Sequence, residues 1–458
     1  MATVQSPMLP THTDFAVIGS GITGCSVTKA LLEHAQFQGS TVTVLEARTL
    51  VSGATSRNGG HLVSAAGHTY AELARRYGME NAKQITRFSI MNIDYVLSMI
   101  RGLDKDVQEQ SQVREVVKVM AALDEGLWKD AVASLKAFQA AVPEYKSYHT
   151  IVEADEVERR WNVRGAAGAI EHAAGAVWPY RLLTGIFERM QEAHSERLSI
   201  ETNTPVLKVD WDANSKDYPY TLTTPRGRLR AKTIVHCTNA HAAHLLKPLQ
   251  GKLYGFRGTM TVQKAGPRLP NEGRARSWSA MYGPSLDLST GVYDTGLVYL
   301  QQNALTGDIW VGTETSKITD ILKADDTFVA EEAKDKLSTF LSGYFAQGWD
   351  SGASGELEGI WTGVQGHTAD GLPMVGKLPP AATGRKGSDA EWIAAGFNGY
   401  GMDKCWLTGN ALVRMVAGEN VTEWFPQCYM MSEARFRQDM TLDRVLAKFA
   451  NIAQGGRW

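Results

Sequence analysis

The chain has 458 residues, of which 43% are hydrophobic and 21% charged, and its formal net charge is −2. This length predicts two or three lobes rather than one compact core. The near-neutral charge, without clusters of Lys and Arg, excludes nucleic acid and membrane surfaces as expected partners.

The cysteines and the two chain ends indicate the compartment. Cys25, Cys237, Cys405 and Cys428 are far apart and form no Cys-x-x-Cys pair, which argues against a disulfide framework or a zinc site. The polar start at residues 1–13 has no signal-peptide pattern, and no apolar run approaches the roughly 20 residues that span a bilayer. The final Gly-Arg-Trp is not a peroxisomal address. We therefore predict a cytoplasmic protein without a metal.

The first predicted elements form a nucleotide-binding strand, turn and helix. Residues 15–18 are an apolar run typical of a buried parallel strand, and Gly19, Gly21 and Gly24 follow as a G-x-G-x-x-G. The three glycines permit a tight turn, a close approach of the backbone to a pyrophosphate, and close packing of the helix on the sheet. The start of that helix offers free N–H groups and a positive dipole end to phosphates.

A second strand over residues 41–45 ends at Glu46, 22 residues after the last glycine of the motif, where an acid can bind ribose hydroxyls. The following segment, residues 47–62, is glycine-rich and hydroxyl-bearing and contains two arginines. Its N–H and O–H donors can wrap a pyrophosphate. Gly59 and Gly60 would let the backbone lie against a flat ring. The motif alone does not separate NAD from FAD, and this loop favours FAD.

The middle of the chain alternates between helical and strand patterns. The predicted elements are two or three amphipathic helices over 69–140, a turn at 173–179, a strand pair at 206–209 and 220–223, an aromatic-rich sheet over 254–315 and a helix over 326–347. Such a sheet is typical of a substrate cavity wall. The tail, residues 426–458, is predicted to be irregular and then helical, and we assign it no function.

Together with three later segments, this pattern resembles the FAD-dependent amine and amino-acid oxidoreductase superfamily, which includes D-amino acid oxidase, glycine oxidase, sarcosine oxidase and gamma-glutamylputrescine oxidase. Residues 52–61, Ser-Gly-Ala-Thr-Ser-Arg-Asn-Gly-Gly-His, are most similar to the gamma-glutamylputrescine oxidase branch and to fungal relatives. Residues 234–240 resemble the strand that returns to the FAD domain. Residues 361–376 resemble the C-terminal flavin-contacting loop, and residues 395–402 a glycine-rich turn before the last helix of that domain.

The resemblance implies non-covalent FAD and a set of cofactor and substrate contacts. It also implies a helix over about 180–196 and a backbone contact of Val206 with the adenine. Combined with the motif, it predicts FAD contacts at Gly19, Gly21, Ile22, Thr23, Gly24, Glu46, Ala47, Arg48, Ser52, Ala54, Thr55, Ser56, Arg57, Asn58, Gly59, Gly60, His61, Val206, Thr238, Asn239, Ala240, Trp361, Gly371, Gly399, Tyr400, Gly401 and Met402.

Candidates for a catalytic role lie in the matched loops and in the predicted sheet. His61 and His367 stand in the two flavin loops, where an imidazole can hydrogen-bond the flavin or assist a proton. Tyr254 and Trp310 are candidates for cavity walls, with ordinary core packing as the alternative for each. Gln365 is the last candidate, because it occupies the position in the C-terminal loop where some relatives carry a substrate-binding arginine.

The sequence departs from the family at informative positions. Glycine oxidase and D-amino acid oxidase carry an arginine that grips the substrate carboxylate, and here that position is Gln365. The covalent cysteine of sarcosine oxidase matches Gly363, and the covalent histidine of dimethylglycine dehydrogenase relatives falls near Arg57. The oxygen-activating lysine of sarcosine oxidase matches Trp310. An amine without an adjacent carboxylate is therefore an open possibility, as is an acceptor other than oxygen.

The predicted fold class is α/β, with a Rossmann-like FAD-binding domain interleaved with a substrate domain on a mainly antiparallel sheet. The predicted FAD-binding domain comprises 12–80, 160–250 and 352–425. The predicted substrate domain comprises 81–159 and 251–351, followed by the tail.

The leading functional prediction is an enzyme that oxidises the C–N bond of a small amine or amino acid to an imine, passing a hydride to FAD and then electrons to O2, which gives H2O2. One alternative is an FAD-dependent dehydrogenase or biosynthetic tailoring enzyme that acts on a larger amine and uses another acceptor. A second is a non-catalytic or redox-sensing flavoprotein. A pyridine-nucleotide dehydrogenase is disfavoured, because no second G-x-G-x-x-G is present. The predicted assembly is a monomer or a homodimer.

Overall fold

The computed structural model describes residues 2–350 and 355–454, and it contains two β-sheets with helices packed on them. The strands are β1 (His12–Ile18), β2 (Val42–Leu45), β3 (His61–Leu62), β4 (Arg114–Ala122), β5 (His149–Glu153), β6 (Gly168–Ala176), β7 (Leu198–Glu201), β8 (Lys208–Trp211), β9 (Tyr220–Thr224), β10 (Gly227–His236), β11 (Leu253–Gln263), β12 (Arg276–Met281), β13 (Ser285–Asp287), β14 (Val292–Gln302), β15 (Ile309–Lys317), β16 (Leu357–Thr368), β17 (Met374–Lys377) and β18 (Glu391–Ala395).

The helices are α1 (Ile22–Glu33), α2 (Ala54–Arg57), α3 (Ala66–Tyr77), α4 (Met79–Arg101), α5 (Lys105–Gln110), α6 (Glu125–Ala141), α7 (Ala154–Trp161), α8 (Pro179–Ala193), α9 (Ala242–Leu245), α10 (Ile318–Ile321), α11 (Glu331–Tyr344), α12 (Pro380–Thr383), α13 (Cys405–Val416) and α14 (Leu442–Ala453). In the described part of the chain, none of these helices combines the length and the apolarity that a bilayer crossing requires.

The first sheet has the order β17-β18-β10-β1-β2-β7, and its central strands are parallel. Strand β1 ends at Ile18, which pairs with Leu45 of β2 and with His236 of β10. The carboxyl ends of three strands therefore meet at one edge, the place where open parallel sheets bind ligands. Helices α1 and α13 pack against each other in the core of this part of the molecule. The predicted α/β class with a Rossmann-like sheet is confirmed.

The second sheet has the order β16-β11-β15-β14-β12-β4-β6-β3 and is antiparallel except for the pair β12 and β4. One face is apolar: Trp278, Leu300 and Val311 pack there with Leu337 and Leu341 of α11. Side chains alternate between the two faces of a strand, so the residues next to these in sequence lie on the opposite face. The mainly antiparallel second sheet is confirmed.

Two secondary-structure predictions were wrong in part, although the helices α3, α4 and α6 lie where amphipathic helices were predicted. The region 69–140, predicted as helical, also contains β4, whose Val116, Val119 and Met120 are buried in the sheet. The predicted turn at 173–179 is instead largely the end of β6. The small residues that suggested a turn are required by packing, because a Cβ at Gly175 would lie 2.9 Å from Leu97 and 3.1 Å from Leu62.

Other predicted elements are present with shifted ends. The strand pair is β8 with β9, the helix predicted at 180–196 is α8, and the helix predicted at 326–347 is the shorter α11. The domain boundaries stay a prediction. The chain crosses between the sheets more often than those boundaries suggest, since β6 and β16 of the second sheet come from segments assigned to the FAD-binding domain.

Candidate cofactor and substrate site

The glycine motif forms the turn between β1 and α1. Gly19 has a φ of +104°, and a Cβ there would lie 2.7 Å from the carbonyl oxygen of Cys237 at the end of β10. A Cβ at Gly24 would overlap the carbonyl oxygen of Gly19. Both positions therefore require glycine, as the sequence predicted for a phosphate-binding turn. Ile22 and Thr23 begin α1, and Gly21 caps this helix without a side-chain hydrogen bond.

Glu46 lies directly beside this turn, at the end of β2. Its Oε2 accepts hydrogen bonds from the backbone N–H (3.1 Å) and the hydroxyl (2.7 Å) of Ser20, and its Oε1 accepts one from Arg48 N–H (2.9 Å). These bonds fix the carboxylate and leave lone pairs for ribose hydroxyls. The chain before Val206 runs alongside, because Thr204 N–H donates to the Glu46 carbonyl (2.8 Å).

The loop between β2 and β3 covers the start of α1. Thr55, in α2, accepts the Ile22 N–H at 3.0 Å through its hydroxyl. Arg57 donates to the carbonyls of Ser52 (3.0 Å) and Thr362 (2.9 Å), and Trp361 Nε1 donates back to the Arg57 carbonyl (2.9 Å). The loop is thus fixed between the glycine turn and β16.

Most of the remaining predicted residues of this loop are held in place as well, and Ala47 is exposed. Arg48 pairs with Asp326 at 2.9 Å. Ser56 donates to the Gly53 carbonyl, next to Ala54. Asn58 accepts the Gly60 N–H at 2.7 Å, which shapes the turn into β3. The two arginines therefore stiffen the loop through protein contacts.

Three buried polar atoms in the predicted cofactor loops have no hydrogen-bond partner in the described part of the protein. They are Ser52 Oγ, His61 Nε2 and Thr238 Oγ1. Buried polar groups are normally satisfied, so these three atoms are available to hydrogen-bond a ligand bound at this edge. Together with the glycine turn and the placed Glu46, these residues fit FAD.

Three loops that are distant in sequence are tied to one another at this edge. Asn239, with a φ of +46°, accepts the Gly396 N–H at 2.8 Å. Asn398, with a φ of +53°, accepts the Thr368 N–H at 2.9 Å and donates its own N–H to the Gly366 carbonyl at 2.8 Å. We call these four hydrogen-bonded segments the asparagine junction: residues 238–240, 366–368, 396 and 398. It holds Ala240, in the first segment, and Gly399, which follows Asn398, next to β16.

The second sheet presents a polar face to these loops. Ser277, Gln301 and Trp310 are successive cross-strand partners on β12, β14 and β15, and Ser279, Tyr299 and Gly312 form the next row. Gln301 donates to the Gly59 carbonyl, and a Cβ at Gly59 would lie 3.6 Å from Tyr299. The row of polar side chains therefore lies against the loop that the sequence assigned to the flavin.

A hydrogen-bonded cluster occupies the next row of this face. Glu314 is only 6% exposed, and its Oε1 accepts hydrogen bonds from the Tyr299 hydroxyl (3.1 Å) and from Gln365 Nε2 (2.9 Å). Gln365 Oε1 in turn lies 3.0 Å from His367 Nε2. A Cβ at Gly399 would lie 2.8 Å from Gln365 Oε1, so the cluster lies beside the glycine-rich turn.

Comparison with protein-family models decides the family. The model described as DAO, FAD dependent oxidoreductase, matches residues 14–415. The chain belongs to this family. Among curated proteins, none matches the sequence at a significant level.

Solved structures of similar fold agree with this DAO-family assignment. Glycine oxidase from Geobacillus kaustophilus superposes with a TM-score of 0.67 at 17% identity, covering 92% of this chain and 99% of that one. NikD, an unusual amino acid oxidase essential for nikkomycin biosynthesis, gives 0.64 at 18% identity, covering 91% and 98%. L-proline dehydrogenase from P. horikoshii gives 0.62 at 17% identity, covering 94% and 99%.

The two predicted catalytic histidines of this DAO-family chain lie at different places on the polar face. His61 lies in β3 with its ring 6.1 Å from that of Tyr299, and burial places its pKa well below the usual value. His367 and Gln365 belong to the Glu314 cluster, and burial lowers the pKa of His367 in the same way.

Trp310 and Tyr254 lie at opposite ends of the polar face. Trp310 packs edge to face between Trp178 (5.1 Å) and Trp361 (6.2 Å). Tyr254 lies near the ring of His367 and against the tail helix α14, where Lys448 donates to its hydroxyl at 3.5 Å.

The last predicted FAD contacts lie around α13. Tyr400 is 43% exposed, and Gly401 accepts hydrogen bonds from the first residues of the helix. Met402 accepts a hydrogen bond from Asn92 at 3.1 Å. Gly371, with a φ of +77°, forms the turn that follows β16.

Sequence reasoning missed Lys118, Gln301 and Glu314 of the polar face, and it included Tyr299 only as one of the aromatic residues of the predicted sheet over 254–315. The sequence did indicate Glu314, because it is the single acid in the strand Ile-Trp-Val-Gly-Thr-Glu-Thr-Ser-Lys. It lies four residues after Trp310, so the two side chains lie on the same face of that strand. Lys118 of β4 pairs with Ser277 and is buried, which places its pKa well below the usual value.

Proposed function

We propose that this protein oxidises the carbon–nitrogen bond of a small amine or amino acid to an imine, with O2 accepting the electrons to give H2O2. The observation that carries the proposal is the polar face of the second sheet, which meets the cofactor loops at Gly59 and Gly399. The solved neighbours named as amino acid oxidases and dehydrogenases support the same class of substrate.

The chemistry supplied by bound FAD is acceptance of a hydride from the carbon next to nitrogen. The chain must hold that carbon close to the cofactor and exclude water. The cluster of Tyr299, Glu314 and Gln365 offers the polar contacts for orientation. The packed rings of Trp178, Trp310 and Trp361 close another part of the same face.

His61 and His367 act as neutral imidazoles in this proposal. Burial keeps the pKa of each ring well below its usual value, so both rings are uncharged at neutral pH. A neutral ring can donate one hydrogen bond and accept another, which suits the unpartnered His61 Nε2 for contact with the cofactor or the substrate.

We propose that FAD is bound without a covalent link. Gly363 stands where a linking cysteine would, and a Cβ there would lie 3.2 Å from Arg57 Cβ. The Arg57 guanidinium is engaged by the carbonyls of Ser52 and Thr362. Acid denaturation followed by ultrafiltration should release the yellow cofactor into the filtrate, and flavin that stays with the protein would contradict this arrangement.

The reaction is tested by anaerobic titration of the purified protein with amines and amino acids, following flavin absorbance near roughly 450 nm. We expect bleaching by one class of compound and H2O2 on admission of air. Bleaching without peroxide would point to the alternative acceptor. A flavin that no amine or amino acid reduces would contradict the proposal.

We also propose a cytoplasmic location and a monomeric or homodimeric state. The four free cysteines, of which Cys25, Cys237 and Cys405 are buried, support a reducing compartment. Cell fractionation and light scattering test the two statements separately.

A further inference from the structure

The Glu314 cluster has an unusual balance of charge. Within the described ranges, 2–350 and 355–454, the Glu314 carboxylate forms no ion pair, and its hydrogen bonds come from neutral groups: the Tyr299 hydroxyl, the Gln365 amide and, at 3.5 Å, the Thr295 hydroxyl. A buried carboxylate is costly without a cationic partner. Burial accordingly raises the pKa of Glu314, and the hydrogen bonds from Tyr299 and Gln365 oppose that effect.

Lys336 acts electrostatically on Glu314, but its ammonium group is hydrogen-bonded to other residues. Lys336 of α11 binds Asp294 at 2.8 Å and the hydroxyls of Thr313 and Thr315 at 2.9 Å. Both threonines flank Glu314 in β15 and therefore lie on the opposite face of the sheet. The positive charge of Lys336 is thus paired behind the sheet, and the carboxylate faces the cofactor loops.

The hydrogen bonds also leave one oxygen of this buried carboxylate able to accept a further hydrogen bond. With its proton on Nε2, His367 donates to Gln365 Oε1, which orients the Gln365 amide to donate to Glu314 Oε1. Tyr299 donates to the same oxygen, so Oε2 keeps only the long bond from Thr295 among the residues that the structure describes. Gly258, whose Cβ would lie 3.2 Å from Oε1, leaves the neighbouring strand without a side chain over the carboxylate.

We infer that Glu314 binds the protonated amino group of the substrate and accepts one proton from it, which leaves the nitrogen neutral for hydride transfer, and that the substrate is an amine without a carboxylate on the carbon that is oxidised. This inference rests on the proposed function and adds the substrate class to it. Gln365, at the position that resembles the carboxylate-gripping arginine of relatives, here holds an acid in place. An incoming carboxylate would meet a negative charge at that point, and an ammonium group would meet an attractive one.

Two unreactive probes of the same shape test the inference on the FAD-loaded protein. tert-Butylammonium has no hydrogen on the carbon next to nitrogen and cannot be oxidised, and pivalate replaces its ammonium group with a carboxylate. Binding is measured by calorimetry and by perturbation of the flavin absorbance spectrum. We expect tert-butylammonium to bind and pivalate to bind more weakly or not at all. Tighter binding of pivalate would overturn the inference without a variant being made.

The variant Glu314→Gln keeps the shape of the side chain and removes its charge. We expect its affinity for tert-butylammonium to fall about 30-fold. The control Glu358→Gln removes an exposed carboxylate on β16 that faces Lys264, and should leave binding unchanged. Equal binding by wild type and Glu314→Gln would overturn the inference. Flavin content and thermal stability of both variants verify that each is folded and loaded.

Substrate turnover separates this inference from the proposed function. We expect n-butylamine to bleach the wild-type flavin under anaerobic conditions more effectively than norvaline, which has the same carbon next to nitrogen with a carboxylate added. Bleaching by norvaline alone would overturn the inference and leave the proposed function standing. Failure of every amine and amino acid to bleach the flavin, with tert-butylammonium still bound through Glu314, would contradict the proposed reaction instead.

Discussion

Replacing Arg435 in the tail should destabilise the loop that follows β16. The Arg435 guanidinium binds both oxygens of Asp370 (2.8 and 3.3 Å) and the carbonyls of Leu372 (2.9 Å), Pro373 (2.9 Å) and Tyr429 (2.7 Å). Arg435 is 7% exposed and Asp370 is 5% exposed. The tail therefore fixes the turn at residues 370–373 through one buried cation.

The variant Arg435→Met keeps the apolar stem and removes every one of these donors. Breaking a buried ion pair by removing one partner costs about 3–5 kcal/mol, because the other charge stays buried without compensation. Three carbonyls also lose a charged donor, which argues for the upper part of that range. Adding Asp370→Asn removes the uncompensated charge, so the double variant should recover part of the lost free energy of unfolding.

Urea denaturation of the FAD-loaded protein, followed by circular dichroism and by flavin release, measures the effect. The matched control is Arg437→Met, two residues away, whose pair with Glu433 has side chains that are 65% and 47% exposed. Exposed pairs contribute about 0–1 kcal/mol, so this variant should stay close to wild type. If Arg435→Met loses no more stability than Arg437→Met, the reasoning about the buried pair is refuted.

Two further variants test the cofactor turn and the first sheet. Gly24→Ala should yield protein depleted of flavin, because the new Cβ would overlap the Gly19 carbonyl; the flavin-to-protein absorbance ratio checks this, and Gly39→Ala, where a Cβ meets nothing within 4 Å, should load normally. Burial alone would raise the pKa of Glu391, but hydrogen bonds from Arg385 and His236 outweigh it and lower the pKa to about 2. This carboxylate should contribute up to about 3 kcal/mol above pH ~4.5, lost as the pH falls toward 2. The stability difference between wild type and Glu391→Gln, measured in urea, should therefore narrow on acidification; a constant difference would contradict the assigned pKa.

The glycine turn and the position of Glu46 beside it were predictable because their constraints are mostly local. Gly19 and Gly24 stand at fixed offsets between a strand and a helix, and Glu46 follows the next strand. Gly24 is required by its contact with the Gly19 carbonyl, and Glu46 accepts hydrogen bonds from Ser20, so a single stretch of sequence carries most of the pattern. The contact of Gly19 with Cys237 is the exception, because it joins this stretch to β10. The same holds for the strands on either side, whose apolar runs are typical of a parallel sheet.

The residues on the polar face of the second sheet could not be predicted in the same way, because their positions depend on the register in which the strands pair. Alternation predicts a sheet over 254–315 but does not say which face meets the cofactor, and a shift of one residue exchanges the faces. Tyr299 and Glu314 come together only through the pairing of β14 with β15. Gln365 was noticed through the family resemblance, and its bond to Glu314 depends on a third strand that lies 51 residues further along the chain.

The strand β4 was missed for a related reason. Its sequence, Arg-Glu-Val-Val-Lys-Val-Met-Ala-Ala, contains residues with high helix propensity, and helices precede and follow it. Its conformation is decided by pairing with β6 and with β12, which are distant in sequence. Tertiary pairing therefore overrides local preference at this point.

The asparagine junction joins residues that the ribosome adds at widely separated times. Asn239 accepts its hydrogen bond from Gly396, a residue 157 positions later in the chain. A ribosome adds about 5–20 residues per second, so roughly 8–30 s pass between the two. Until then the first glycine turn can exist, but the edge that the sequence predicts for the ring end of the cofactor cannot. We therefore expect a nascent chain to retain FAD only after its last quarter is made, and a chain truncated before Gly396 to be purified without flavin colour.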